Sequence, residues 1–203
     1  MFVYCGNDPV DGTDLHGKAF STEEDADGDG IPDYLMLRWL TMTYRAKANC
    51  YAFAFKMAND PRTGDAFTQK PQPGEFSGIS LYNSIYNLQE QETEILLVQI
   101  NRIIIDAVVA DGETLGFTIV PVDSADYPTQ DGQWLVALAF GSDDYGFDYH
   151  WWRKMDNGFW YHKPGSSPVR NKDSSGQLIK DPGMSDRGMY QYFFGYYLVT
   201  PTP

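Results

Sequence analysis

The stretch Asp148–Gly165, DYHWWRKMDNGFWYHKPG, decides how the second half of this chain is read. Two aromatic runs, YHWWRKM and FWYHK, flank an Asp-Asn-Gly turn signal, which is the pattern of a β-hairpin. The stretch carries His150 and His162, two of the three histidines in the chain. The turn can close in two ways. A two-residue Asn157-Gly158 turn pairs Arg153 with His162 and sends His150 to the opposite face. A three-residue loop, Asp156-Asn157-Gly158, pairs Trp152 with His162. Both imidazoles then project from one face as diagonal neighbours, roughly 7–8 Å apart at the backbone. Glycine at the third loop position, which needs a left-handed backbone, favours the second version.

Outward from the hairpin, GFTIVPV (116–122), WLVALAF (134–140) and YFFGYYLVT (192–200) also read as strands. The half before them is helical. Apolar residues recur at helical spacing over Tyr34–Ala48, and a second helix is predicted from an Asn49 N-cap, with Asp60-Pro61 stopping it. A long Pro/Gly loop over 61–78 leads to the strongest helical pattern, Ser84–Ala110. Leu88, Leu96, Ile100, Ile103, Ala107 and Val108 lie on one stripe there, and Asp111-Gly112 is read as the stop. Helices first and strands after predict an α+β fold, with N-terminal helices packed on a mainly antiparallel sheet. The division is an acidic N-terminal arm over 1–33 and one domain over 34–203.

Composition narrows the function. The chain has 203 residues, 15% of them aromatic, and a net charge of -13. Phosphate neutralisation needs clustered Lys and Arg, so nucleic acid is excluded as a partner. Unassisted binding to anionic lipid is disfavoured for the same reason. No apolar run approaches the ~20 residues of a membrane span, so no membrane insertion is expected. The opening MFVYCGNDPVDG lacks a basic region and a long apolar run, so no signal peptide is visible in it. Walker A, GxSxG and HExxH motifs are absent, and His16 is read as a surface residue.

Cys50 follows the Asn49 cap and stands in the first turn of a helix. Unpaired N–H groups and the helix dipole there favour thiolate over thiol. A thiolate with an imidazole from a strand is what nucleophilic attack on an acyl group requires. Three readings of Cys50 stand side by side: nucleophile, small buried hydrophobe beneath Phe53 and Met57, or disulfide partner of Cys5. A zinc site from Cys50, His150 and His162 is a further alternative.

A Cys at a helix start, a strand His, and a second His twelve residues later across a tight turn resemble the NlpC-type cell-wall peptidases of the papain-like cysteine hydrolases. The resemblance covers residues 49–57 and 148–163. It implies a papain-like catalytic domain over 34–203 and a Cys-His-His centre: Cys50 as nucleophile, His150 as base and His162 as orienting group. Asp173, Asp181 and Asp186 are alternatives for that last role. The function so implied is a thiol amidase or peptidase acting on a peptide or peptidoglycan-type amide, with a peptide or glycopeptide substrate. The backbone N–H of Cys50 would contribute to an oxyanion hole.

A second constellation lies in the arm, where DADGDGIPDYLM places Asp25, Asp27 and Asp29 at alternate positions before the Gly30 turn. With the Ile31 carbonyl and Asp33 they match most of a calcium loop, although Met36 stands where a bidentate Glu is usual. A weak structural Ca²⁺ site suits millimolar extracellular calcium, hence an extracellular or secreted location. Two rivals to the amidase follow: a secreted, calcium-stabilised module that binds carbohydrate or protein without catalysis, and an effector or toxin domain of the same clan acting on a protein amide.

Overall fold

Antiparallel pairing organises the computed structural model, which describes residues 47–88, 92–143 and 146–202. The N-terminal arm, the calcium loop and Cys5 lie outside the described residues, as does the helix expected over Tyr34–Ala48 up to residue 46. The elements are α1 (Cys50–Ala54), α2 (Leu81–Tyr86), α3 (Thr93–Leu115), β1 (Phe117–Val122), β2 (Trp134–Asp143), β3 (Gly146–Lys154), β4 (Trp160–His162) and β5 (Tyr192–Pro201). Among the described residues the strands form one antiparallel sheet in the order β1-β5-β2-β3-β4. The fold is α+β.

The sheet is covered on both faces, and strand alternation sorts its side chains between two cores. Val136, Leu138 and Phe140 of β2, with Tyr149 and Trp151 of β3 and Tyr161 of β4, pack against α1 and the Ile100–Val108 stripe of α3. Leu135, Ala137, Ala139, Trp152 and Trp160 point the other way, where Ile179 from the 163–191 connection closes over them. A strand buried on both sides needs no polar alternation, which accounts for the unbroken run WLVALAF.

Two helix boundaries differ from the sequence expectation. The segment expected to be helical from Asn49 to Asp60 is α-helical only over Cys50–Ala54. The chain turns at Lys56, left-handed at φ 57°, and the Met57 N–H closes back on Ala52 O at 2.9 Å. Helices usually end this way on glycine. Here the Lys56 ammonium sits 4.1 Å from the Trp134 ring centre, and the Trp134 indole donates to Ala54 O, so tertiary contacts hold a turn that the residue type does not announce. At the far end, Asp111-Gly112 does not stop α3. The helix runs on to Leu115 and ends at Gly116, φ 80°. Gly112 is needed inside the helix because a Cβ there would lie 2.5 Å from Phe117 O. The early part of the expected Ser84–Ala110 helix is separate: α2 ends at Tyr86 and α3 begins at Thr93.

Asp111 itself is fully buried. Its carboxylate accepts from the Tyr51 hydroxyl (2.8 Å), the N–H groups of Gly74 (2.7 Å), Phe76 (2.9 Å) and Ser77 (2.9 Å), and the Ser77 hydroxyl (3.0 Å). One side chain thereby ties α3 to α1 and to the Pro/Gly loop. Two buried cations finish the seating of α1. Lys163 donates to Ala48 O, and Arg153 donates to Phe53 O while lying over the Phe53 ring.

Asp111→Ala leaves those donors buried without an acceptor, so it should cost about 3–5 kcal/mol in urea unfolding. Asp111→Asn, which keeps an acceptor oxygen, should cost distinctly less. Equal losses for the two would show that the carboxylate does not hold the loop.

Candidate functional site

The β3–β4 connection is the three-residue loop. Met155 N–H donates to Phe159 O and Gly158 N–H to Met155 O, both at 2.9 Å, and Gly158 takes φ 84°. Trp152 therefore pairs with His162. His150 and His162 share one face, with His150 Nε2 2.7 Å from His162 Nδ1 and the rings nearly perpendicular at 85°. His162 Nε2 faces Lys172 O at 3.1 Å and Arg170 Nε at 3.3 Å. The carbonyl can only accept, and it is the nearer partner. Arg170 Nε–H can only donate, so these two partners of Nε2 call for opposite tautomers of His162; in either one, a single proton is shared between His150 Nε2 and His162 Nδ1. The tyrosine ring of Tyr190 stacks on His150 with centroids 4.7 Å apart, and Trp152 meets it edge-on at 4.5 Å.

Burial dominates the protonation of this pair. His150 is held well below its usual value by desolvation, with the neighbouring His162 and Arg170 adding to the effect. Desolvation also brings His162 down to about 4; Arg170 adds to that shift, while the Lys172 carbonyl and Asp173 oppose it. The pair borders a cavity of about 50 Å³, whose wall also includes Trp152, Arg170, Arg187 and Tyr190. That volume holds a water or two and no substrate chain.

Cys50 belongs to the helix-side core, beside Tyr149 and Trp151 of β3. Its helix-start position is as expected, with Asn49 Oδ1 accepting from the Ala52 N–H at 3.1 Å. The sulfur, however, lies among α1 and the helix-side core, where it donates to Tyr149 O at 3.9 Å. Along β3, residues 149 and 151 face α1, whereas 150 and 152 face away. The expected meeting of Cys50 with His150 is therefore not formed. A one-residue difference in strand position puts Tyr149 beside the sulfur instead. The expected lowering of the Cys50 pKa is likewise reversed: desolvation pushes the thiol up to about 12, outweighing the backbone N–H groups that pull it down. The expected raising of the His150 pKa by a thiolate is reversed too. Cys50 is a free thiol, and it does not converge with His150 and His162 into a group that could hold zinc.

The three aspartates offered as orienting groups are engaged elsewhere. Asp173 accepts from the N–H groups of Ser175, Gln177 and Asp186. Asp186 accepts from Gly188 N–H and the Ser175 hydroxyl, and Asp181 from Gly183 N–H and the Tyr196 hydroxyl. They shape the 173–190 loop over the histidines. Asp25, Asp27, Asp29, Ile31 and Asp33 lie outside the described residues. Among those described, no three His, Cys, Asp or Glu side chains converge to hold a metal ion. The residue that sequence reading missed is Asp111. It stands seven positions after Ile104 on the apolar stripe, and an acid at a core position was the available signal.

Comparison with known proteins adds one partial likeness. The chain is 48% identical over 56 residues to "Insoluble matrix shell protein 1" of Ruditapes philippinarum. The match covers 28% of this chain and 38% of that protein's length. No family model matches the chain, and no solved structure matches it significantly. Among the described residues no helix is long and apolar enough to cross a membrane.

The histidine pair makes stability depend on pH with a defined sign. Unfolded, each imidazole titrates near 6.5; folded, His162 titrates near 4 and His150 also below its usual value. The unfolded chain thus binds more protons between these values, so the stabilisation is complete above about pH 6.5 and is lost as pH falls towards 4. The slope is at most about 1.4 kcal/mol per pH unit for each imidazole. Urea unfolding should therefore lose on the order of 2–4 kcal/mol between pH 7 and pH 5. His162→Asn should flatten that profile, and a wild-type profile that is already flat would show the pair to be solvated.

Proposed function

We propose that this chain is a secreted, non-catalytic binding module for carbohydrate or protein, working in an extracellular matrix. The observation that carries the reading is that Cys50 and the histidines bond to other partners and not to each other. A thiol nucleophile needs a base within hydrogen-bond reach. Cys50 has Tyr149 at that place, and the histidines are occupied with each other and with Lys172. The partial likeness to a protein named for an insoluble shell matrix supports the extracellular placement. Calcium on Asp25, Asp27, Asp29, the Ile31 carbonyl and Asp33 belongs to the same reading, as a steadying ion in place of a catalytic one.

The papain-like reading of the scaffold draws support from one feature. A helix bearing Cys50 at its N-terminus packs against the middle of an antiparallel sheet. We take it as a scaffold without the dyad. The amidase and effector readings would require Cys50 to become exposed and to meet an imidazole.

Iodoacetamide labelling separates these readings. In native protein at pH 8, Cys50 should react at least about a hundredfold more slowly than a free thiol of pKa about 8.5, and reach the free rate only in denaturant. His150→Ala should leave that protection unchanged. Fast native labelling with an apparent pKa below 8.5, lost in His150→Ala, would restore the amidase. For the arm, millimolar Ca²⁺ should raise the unfolding temperature, and Asp27→Ala with Asp29→Ala should abolish the increment. No shift in the wild type would remove calcium from the reading.

A further inference from the structure

Resting on the binding-module reading, we infer that the open groove between the first half of α3 and the start of β5 is the binding site, and that its ligand is an uncharged oligosaccharide. The groove measures about 400 Å³, within the range of small-ligand sites. Its apolar wall is Leu97, Val98 and Tyr192–Phe194, and its polar groups are Glu94, Asn101 and Gln191. Glu94, Val98 and Asn101 recur at helical spacing, so a single face of α3 presents them together.

The wall is the end of a longer aromatic array. Phe194 stacks on Phe140, Phe140 on Phe147, Phe147 on Tyr82 and Tyr82 on Tyr86, with centroids 5.7–6.0 Å apart and ring planes within 24° of parallel. Each strand from β5 through β2 to β3 gives one ring, and α2 gives the two tyrosines. The tyrosine end is in water, with Tyr82 62% and Tyr86 72% exposed, and Val98 is 65% exposed beside the groove. The exposed Val98 is the part of this array's surroundings that borders the groove itself.

The chemistry of the lining selects the ligand. Pyranose rings present flat C–H faces, which lie on aromatic rings, and hydroxyl edges, which bond to amides and carboxylates. The groove offers both kinds of group. Asn101 Oδ1 already accepts from the Tyr197 hydroxyl, leaving its amide hydrogens to donate to a ligand oxygen. Among the described residues no Lys or Arg lines the groove. With Glu94 at its edge and a chain net charge of -13, an anionic glycan or phosphate is repelled.

Titration calorimetry of the full chain with cellohexaose and with chitohexaose tests the inference, using a heparin hexasaccharide as the anionic comparison. At least one neutral oligomer should bind with a dissociation constant below about a millimolar, and the heparin fragment should not. Val98→Asp should weaken binding tenfold or more. Val109→Asp, on the same helix away from the groove, should leave it unchanged. Tyr192→Leu, with folding checked by circular dichroism and melting, should lose affinity as Val98→Asp does. Absence of binding to both neutral oligomers, equal affinity in Val98→Asp, or preference for the heparin fragment would each overturn the inference. Cys50 labelling reports on the underlying reading separately: a protected Cys50 without sugar binding removes only the sugar, and a reactive Cys50 removes the module.

Discussion

The buried carboxylate of Asp111 is the constraint on which the helical layer depends. Taking an ionised carboxylate out of water costs several kcal/mol unless donors replace the solvent. Here the donors come from two separate places: the Tyr51 hydroxyl on α1, and the 74–77 turn with its amides and the Ser77 hydroxyl. Converging N–H groups of this kind form an anion cradle, which here is filled by the protein's own side chain. Gly74 makes the cradle feasible, since at φ 91° a Cβ would lie 2.7 Å from Ile79 O. With the loop and α1 fixed to α3, the depth of Cys50 is fixed as well.

That depth explains why the same helix start has opposite consequences in isolation and in the fold. A helix N-terminus favours thiolate by a fraction of a kcal/mol up to about 2 kcal/mol. Full burial of a thiolate costs more, and Cys50 stays protonated. The histidines obey the same physics with the opposite charge: burial removes the cation, and two neutral rings settle into a donor–acceptor pair.

The parts legible in the sequence were those set by local stereochemistry. Gly158 at the third loop position determined the hairpin, and with it the shared face of His150 and His162. The apolar stripe around Ile100 and Val108 marked α3, and WLVALAF marked a strand covered on both sides. Less legible were features set by docking. Whether Tyr149 or His150 faces α1 depends on how the sheet lies against the helix, and no local pattern in YHWWRKM encodes it. The end of α1 at Lys56 lacked a glycine, because Trp134 and Arg153 arrive from later strands to complete it. Asp111-Gly112 resembled a helix stop only because each residue had a tertiary reason to be there, a core acid and a close approach to Phe117.

The strand order has a consequence for how the chain comes to be folded. β5 lies between β1 and β2, so these two strands, consecutive in the sequence, have no ladder between them until Tyr192–Pro201 arrives. Its register joins Phe117 to Pro201 and Trp134 to Val199, contacts that span much of the domain. Closing such loops is slow, because the entropy is lost before the pairing returns anything. During vectorial synthesis the facing edges of β1 and β2 stay unpaired until residue 201 has emerged. Until then they are open to other strands, and a chain folding before that point carries two unprotected edges.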